Sequence, residues 1–246
     1  MKLCESVKKV TIIMVVRETL WFSKRILDAL YQHTDPGIFK LIYVTGKSSR
    51  RDRIQLEMES VRRGFQLITR PYHLAPNEAR NLALPYVDTE YVVLLDNDCL
   101  VMEGWLEALL NCAKETGAAL VSPVVLFGEP EERMMHFFTG LCHIVEEEGG
   151  RTFKEGYPYH LKPLSDLKQP LHRQCTELLE YHCLMIRREF LDQVGPFDED
   201  LKSTRDHLDL SLRAQEMGVA CISEPTACVA YLHPPKFLWR EKRGFC

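Results

Sequence analysis

The sequence predicts an α/β fold whose mostly parallel central sheet is covered by helices on both faces. Three observations lead there. Apolar runs of strand length, VTIIMVV and YVVLLD among them, are continuous rather than alternating, as in strands buried on both faces. Stretches of helical periodicity separate them, the β-α-β alternation of a parallel sheet with a Rossmann-like, nucleotide-binding first half. At 246 residues, 46% hydrophobic and 27% charged, the chain can bury a sizeable core and reads as a single domain.

VTIIMVV (10–16) is the first strand, and a helix follows over roughly Leu20 to His33. FKLIYVT (39–45) is the second strand, Asp52 to Arg63 a charged amphipathic helix, and FQLIT (65–69) a short third strand. Asn77 to Leu84 is a helix after Pro76, limited by Pro85. YVVLLD is the fourth strand. Gly104 to Thr116 is a helix stopped by Gly117, whose Trp105, Leu106, Leu109 and Leu110 fall near one apolar face suited to packing on the sheet. AALVSPVVLF (118–127) is the fifth strand. Residues 128–175 break this rhythm with acidic clusters, glycines and spaced prolines, and suggest a long excursion or a lid. Pattern resumes at ELLEYHCLMIRREFL (177–191), a strand running into a short helix. Asp206 to Met217 is a helix closed by Gly218, and VACIS and TACVAYL read as two short strands.

A formal net charge of -4 argues against a general nucleic-acid binder. No apolar run approaches the length of a membrane span, and MKLCESVKKV lacks a signal peptide's apolar core, so a cytoplasmic location is expected. The nine cysteines include no CxxC pair. Cys142-His143 with His182-Cys183 is the nearest approach to a metal cluster, and reduced, buried thiols are the plainer reading there.

The feature that carries chemistry is Asp96-Asn97-Asp98, at the end of the fourth strand. Ligands of open α/β sheets bind outside the carboxyl ends of strands. Alternation sends both carboxylates to one side, and two hard oxygen ligands there suit Mg²⁺ or Mn²⁺ together with substrate phosphates. A solvated Asp-Asn turn is the alternative. NEARNLALPYVDTEYVVLLDND, then CLMIRREFLDQVGPFDEDL, then RDHLDLSLRAQEMG, follow one another in an order and spacing that resemble the family 2 glycosyltransferases of the GT-A fold. The resemblance spans roughly residues 10 to 235.

That resemblance implies a single GT-A domain, with a nucleotide-sugar-binding half over about 1–127 and an acceptor-binding half over about 128–246. It implies a metal-dependent, inverting transfer of one sugar from a nucleotide-sugar donor to a carbohydrate or other hydroxyl acceptor. Asp96 and Asp98 would hold Mn²⁺ or Mg²⁺ on the donor diphosphate, with Asp96 and Asn97 also beside the donor. Arg17 and Glu18 follow the first strand, where the nucleotide pocket begins. Arg80 would lie beside the donor; an exposed helix arginine pairing with Glu78 is the alternative. His233, in YLHPP, is a candidate third metal ligand, against a plain loop histidine. Asp206 is the candidate base, with His207 as its rival and a helix-start role as the plain alternative. Asp209 and Arg213, four apart, look like an ordinary helix ion pair. Neither a nucleic acid nor a transmembrane segment is expected, and a homodimer is compatible with the sequence.

Two positions depart from the family pattern. Thr45 stands where an acid usually contacts the base, and Asp206-His207 replaces a pair of acids. GKSS is not a P-loop, because position 41 is Leu rather than Gly. A nucleotidyltransferase would need a glycine-rich loop after the first strand, and MVVRETLW has none. The departures support one rival from another class, a catalytically inactive sugar-nucleotide-binding or scaffold protein; the intact Asp96 and Asp98 oppose it.

Overall fold

The structure, a computed structural model, describes residues 8–17, 19–202 and 206–232, without the side chains of Arg151 and Phe153. β1 (Val10–Val15), β2 (Phe39–Thr45), β3 (Gln66–Thr69) and β4 (Tyr91–Asp96) alternate with α1 (Ser23–His33), α2 (Arg50–Arg63) and α3 (Pro76–Ala83). After β4 come β5 (Cys99–Val101), α4 (Trp105–Thr116), β6 (Leu120–Phe127), β7 (Met134–Phe137), β8 (Leu141–Glu147), β9 (Gly150–Gly156) and β10 (Gln174–Cys175). β11 (Cys183–Arg187), α5 (Arg188–Val194), α6 (Asp206–Glu216) and β12 (Cys221–Tyr231) complete the described chain.

Local chemistry sets several helix ends. The Ser49 hydroxyl accepts from the Asp52 N–H at 3.1 Å and starts α2. Pro76 opens α3, where its missing N–H costs nothing. Gly117, at φ 70°, lets its N–H reach Ala113 O and ends α4.

The main sheet runs β10-β12-β6-β11-β4-β1-β2-β3, with β5 on β12 and β7 on β6. From β4 to β3 every pairing is parallel. Beyond β4 the sheet is mixed: β11 lies antiparallel between β4 and β6, while β12 is parallel to β6. The period of two along β1 explains both helical layers. Val10, Ile12 and Met14 pack against Ile26, Leu27 and Leu30 of α1 and Trp105 and Leu109 of α4. Ile13 and Val15 face the other way, against Ala79 and Ala83 of α3, Phe190 of α5 and Leu210 of α6.

Two expectations change. Residues 128–175 are irregular only in part: β7 joins the main sheet, and β8 and β9 form a separate antiparallel hairpin. Along β8 only Cys142 is buried, so its sequence lacks the apolar alternation that marks a strand. VACIS and TACVAYL belong to one strand, β12, whose register slips between Glu224 and Cys228. That irregularity, around Pro225, is what reads as a break in the sequence.

Trp105 is fully buried between α4 and the sheet, and its indole N–H donates to Thr34 Oγ1 at 2.9 Å. Trp105→Ala leaves a cavity and an unpaired hydroxyl, and is expected to cost about 3–5 kcal/mol. Urea unfolding checks this: the midpoint should fall with the slope unchanged, whereas an unchanged midpoint would remove Trp105 from the core's main supports.

Candidate active site

The carboxyl ends of β1 and β4 lie side by side, with Val15 opposite Asp96. Asn97 locks this edge. Its Oδ1 accepts from the Arg17 N–H at 3.1 Å, and its Nδ2 donates to Thr19 O at 2.7 Å. The backbone N–H of Asn97 donates to Val15 O at 3.0 Å. Asn97 is therefore a brace for the loop after β1, and it frees the flanking aspartates for another task.

Asp96 and Asp98 are both buried. Both oxygens of Asp96 and Oδ1 of Asp98 have no hydrogen-bond partner, which is costly unless a cation answers them. Two arginines partly do so: Arg17 Nε lies 3.4 Å from Asp96, and a terminal Arg80 nitrogen lies 3.6 Å from it. Burial, and then the neighbouring Asp96, push the Asp98 carboxyl up to about 7. Burial also raises Asp96, against the pull of Arg17 and Arg80. On the donor side, Arg80 Nε, its Nη2 and Arg17 Nη1 are buried without hydrogen-bond partners. Unanswered carboxylate oxygens beside unanswered guanidinium groups fit a divalent ion together with a diphosphate.

Arg80 is fully buried, so it is no surface arginine paired with Glu78. It donates to Asp206 Oδ2 at 2.7 Å and to Asn77 Oδ1 at 2.8 Å, and lies over the Tyr181 ring at 4.5 Å. Asp206 opens α6 in this same cluster, with Arg17 Nη1 3.8 Å from its Oδ2. Burial would raise the Asp206 carboxyl, but His207 and Arg80 hold it well below the usual carboxylate range. His207 is partly exposed, and its Nε2 is 3.4 Å from the Tyr157 hydroxyl. Asp209 and Arg213 form the expected helix pair at 3.0 Å.

Beside this cluster a cleft of about 210 Å³ opens along the ends of β1 and β2. Arg17, Thr45, Lys47, Ser48, Asp52 and His73 line it. A Cβ on Gly46 would meet Tyr72 O at 2.6 Å and Leu74 N at 2.8 Å, so only glycine lets these two loops approach. Thus Arg17, Thr45, Arg80, Asp96, Asn97, Asp98 and Asp206 come together along one edge of the sheet. Glu18 and His233 lie outside the described residues.

Sequence reasoning missed Glu180, and named His182 only in a grouping with Cys142, His143 and Cys183. Because β11 pairs with β4, His182 O accepts from the Asp96 N–H at 3.0 Å. His182 Nδ1 lies 2.5 Å from Glu180 Oε1. Burial works against both charges, yet mutual attraction raises His182 to about 9 and holds Glu180 down to about 2. The available signal was the Glu180-Tyr181-His182 spacing, two polar groups on one side of a strand entrance, as in Asp96-Asn97-Asp98. The grouping of Cys142 and His143 with His182 and Cys183 does not form: His143 is exposed and faces Glu177 at 3.9 Å.

Solved structures share this architecture. GalNAc-T7 with UDP, GalNAc and Mn²⁺ matches with a TM-score of 0.68 and 12% identity, over 93% of this chain and 44% of that one. The mannosyltransferase PcManGT of Pyrobaculum calidifontis, in complex with GDP-Man and Mn²⁺, matches with a TM-score of 0.64 and 16% identity, over 97% of this chain and 62% of that one. The fold is that of the GT-A glycosyltransferases. The family model for glycosyl transferase family 2 matches residues 11–195, and the chain belongs to that family. It is similar to the O-antigen biosynthesis protein RfbC of Myxococcus xanthus, 25% identical in an alignment of 223 residues that covers 88% of this chain and 17% of that protein. It is also similar to the probable N-acetylgalactosaminyltransferase 8 of Caenorhabditis elegans, 26% identical in an alignment 263 residues long with its gaps, covering 99% of this chain and 60% of that protein. The chain therefore spans less than two thirds of either curated relative. No helix among the described residues is long and apolar enough to cross a membrane.

The His182–Glu180 pair gives the fold a pH signature. The raised pKa of His182 adds stability fully below about 6.5, which is lost as pH rises through about 9. The depressed pKa of Glu180 adds stability above about 4.5, which is lost as pH falls through about 2. Urea midpoints measured in chelator across about pH 5 to 10, which brackets the His182 window alone, should decline on the alkaline side, and Glu180→Gln should flatten that decline. An equally steep decline in the variant would deny the pair its role.

Proposed function

We propose that this chain transfers one sugar from a nucleotide-sugar donor to a hydroxyl acceptor, in a metal-dependent, inverting reaction with Asp206 as the base. The observation that carries the reading is the convergence of Asp96, Asp98, Arg17, Arg80 and Asp206, with buried carboxylate oxygens and guanidinium nitrogens left without hydrogen-bond partners. The nucleotide and Mn²⁺ named in the solved complexes of similar fold support the same class of donor and a divalent ion. In this reading residues 1–127 hold the donor and 128–246 the acceptor.

Asp96 and Asp98 hold the ion, Mn²⁺ or Mg²⁺, which supplies positive charge for the departing diphosphate. Arg17 and Arg80 bind the diphosphate from the protein side, and the cleft beside Thr45 takes the nucleoside. The acceptor oxygen forms the new bond to the anomeric carbon as the bond to the diphosphate oxygen breaks, and its proton passes to a carboxylate oxygen of Asp206. Arg80 makes Asp206 a weak base while it holds it. The donor diphosphate competes for the same guanidinium, and drawing Arg80 toward it restores basicity to Asp206 when the substrate is in place.

The tight Arg80–Asp206 contact also favours a second reading, an inactive sugar-nucleotide-binding protein whose acid serves only as a structural counter-ion. Two measurements separate them. Release of nucleoside diphosphate from a donor panel should stop in excess EDTA and return with Mn²⁺ or Mg²⁺, and Asp98→Ala should abolish it while the thermal melt stays cooperative. Full turnover in EDTA would remove the metal from the reaction. Asp206→Asn should lower kcat by about 100-fold or more while donor binding barely changes. Near-normal kcat in that variant passes the role to His207 or to none of these residues, and binding without any turnover in the native chain selects the inactive reading.

A further inference from the structure

A second set of metal-ligand side chains lies beside this site, and the proposed transfer does not use it. His136 stands on β7, and Glu180 and His182 flank Tyr181 at the entrance to β11. One donor atom from each of the three lies within 4.8 Å of the others, and Asp96 and Asp98 are not members of that group. The His136 and His182 rings are 5.0 Å apart and nearly perpendicular. Glu180 and His182 account for each other through their hydrogen bond, but His136 does not fit that pairing: its Nδ1 is buried with no hydrogen-bond partner. An aromatic packing role for His136 leaves that nitrogen unexplained, whereas a shared ion answers it.

We propose that His136, Glu180 and His182 form a binding site for a borderline divalent ion of the Zn²⁺ class, separate from the aspartate pair. Two imidazoles and one carboxylate suit Zn²⁺ and its transition-metal neighbours, whereas Mg²⁺ prefers oxygen ligands alone. Three protein ligands leave a fourth position for water or another oxygen donor. Such an ion joins β7, the first strand of the 128–175 segment, to β11, the strand beside Asp96. The two sites therefore sort metals by ligand chemistry, oxygen donors at one and imidazole at the other. This holds whether or not the chain transfers a sugar.

The test is a Co²⁺ titration of the chelator-stripped full chain, followed by the visible absorption of four-coordinate Co²⁺ and by calorimetry. One equivalent should bind, Zn²⁺ should displace it, and a large excess of Mg²⁺ should not. His136→Ala and Glu180→Gln should each weaken binding by more than about tenfold, as loss of a ligand must exceed loss of a supporting group. Asp98→Asn should leave the absorption intact. Circular dichroism checks that each variant folds, and His136→Gln replaces His136→Ala where alanine does not. A rise in Tm with one equivalent of Zn²⁺, absent in His136→Gln, is the expected second readout. The proposal is overturned if no Co²⁺ binds, or if binding survives His136→Ala and His136→Gln but is lost in Asp98→Asn.

Discussion

A guanidinium carried wholly out of water loses several kcal/mol of hydration unless charges and acceptors surround it, and Arg80 shows no exposed surface. Asp206, Asn77, Asp96 and the face of Tyr181 together meet that demand. Their sources are separated in sequence: α3 supplies Arg80 and Asn77, β4 supplies Asp96, α6 supplies Asp206, and Tyr181 precedes β11. One buried charge thus fixes the relative position of both halves of the site. Removing any partner leaves an unanswered charge in the interior rather than a lost surface contact.

The sheet makes this convergence. In a wholly parallel sheet the neighbour of β4 would arrive from the same end as β4. β11 is antiparallel, so its beginning, not its end, meets the carboxyl end of β4, with Cys183 opposite Leu95. That reversal carries Glu180, Tyr181 and His182 to the edge where Asp96 and Asp98 finish. The two x-spaced polar pairs then face one region from adjacent strands, and their charges act on each other: Asp96 and Asp98 both help keep His182 protonated.

The parallel half of the fold was legible because β1, β2 and β4 are buried on both faces, which leaves continuous apolar runs that no other element explains. The two aspartates stood out for a related reason: Asp96 and Asp98 interrupt such a run at its carboxyl end, where solvation or a cation must account for them. Arg80 could not be placed from sequence, because an arginine in a short polar helix has the same letters whether it faces solvent or a buried acid. Glu180 and His182 were hidden by topology, since nothing local to EYHC states which strand it will join. The hairpin β8–β9 was hidden by exposure: with little to bury, it carries no apolar alternation.

Charge counting links the site to the order in which its ligands act. Asp96, Asp98 and Asp206 face Arg17 and Arg80, so the group is close to balanced with carboxylates in slight excess. A divalent cation alone tips it toward positive, and a diphosphate alone tips it further toward negative. Bound together, on the proposed reading, they nearly cancel, and each occupies the groups that the other leaves unanswered. Burial makes this coupling strong, because charges in a poorly screened interior interact far more than they do at the surface. On that reading, buried carboxylates on one side and buried guanidinium groups on the other favour the ion–diphosphate pair over either component, which is the selectivity that a nucleotide-sugar donor requires.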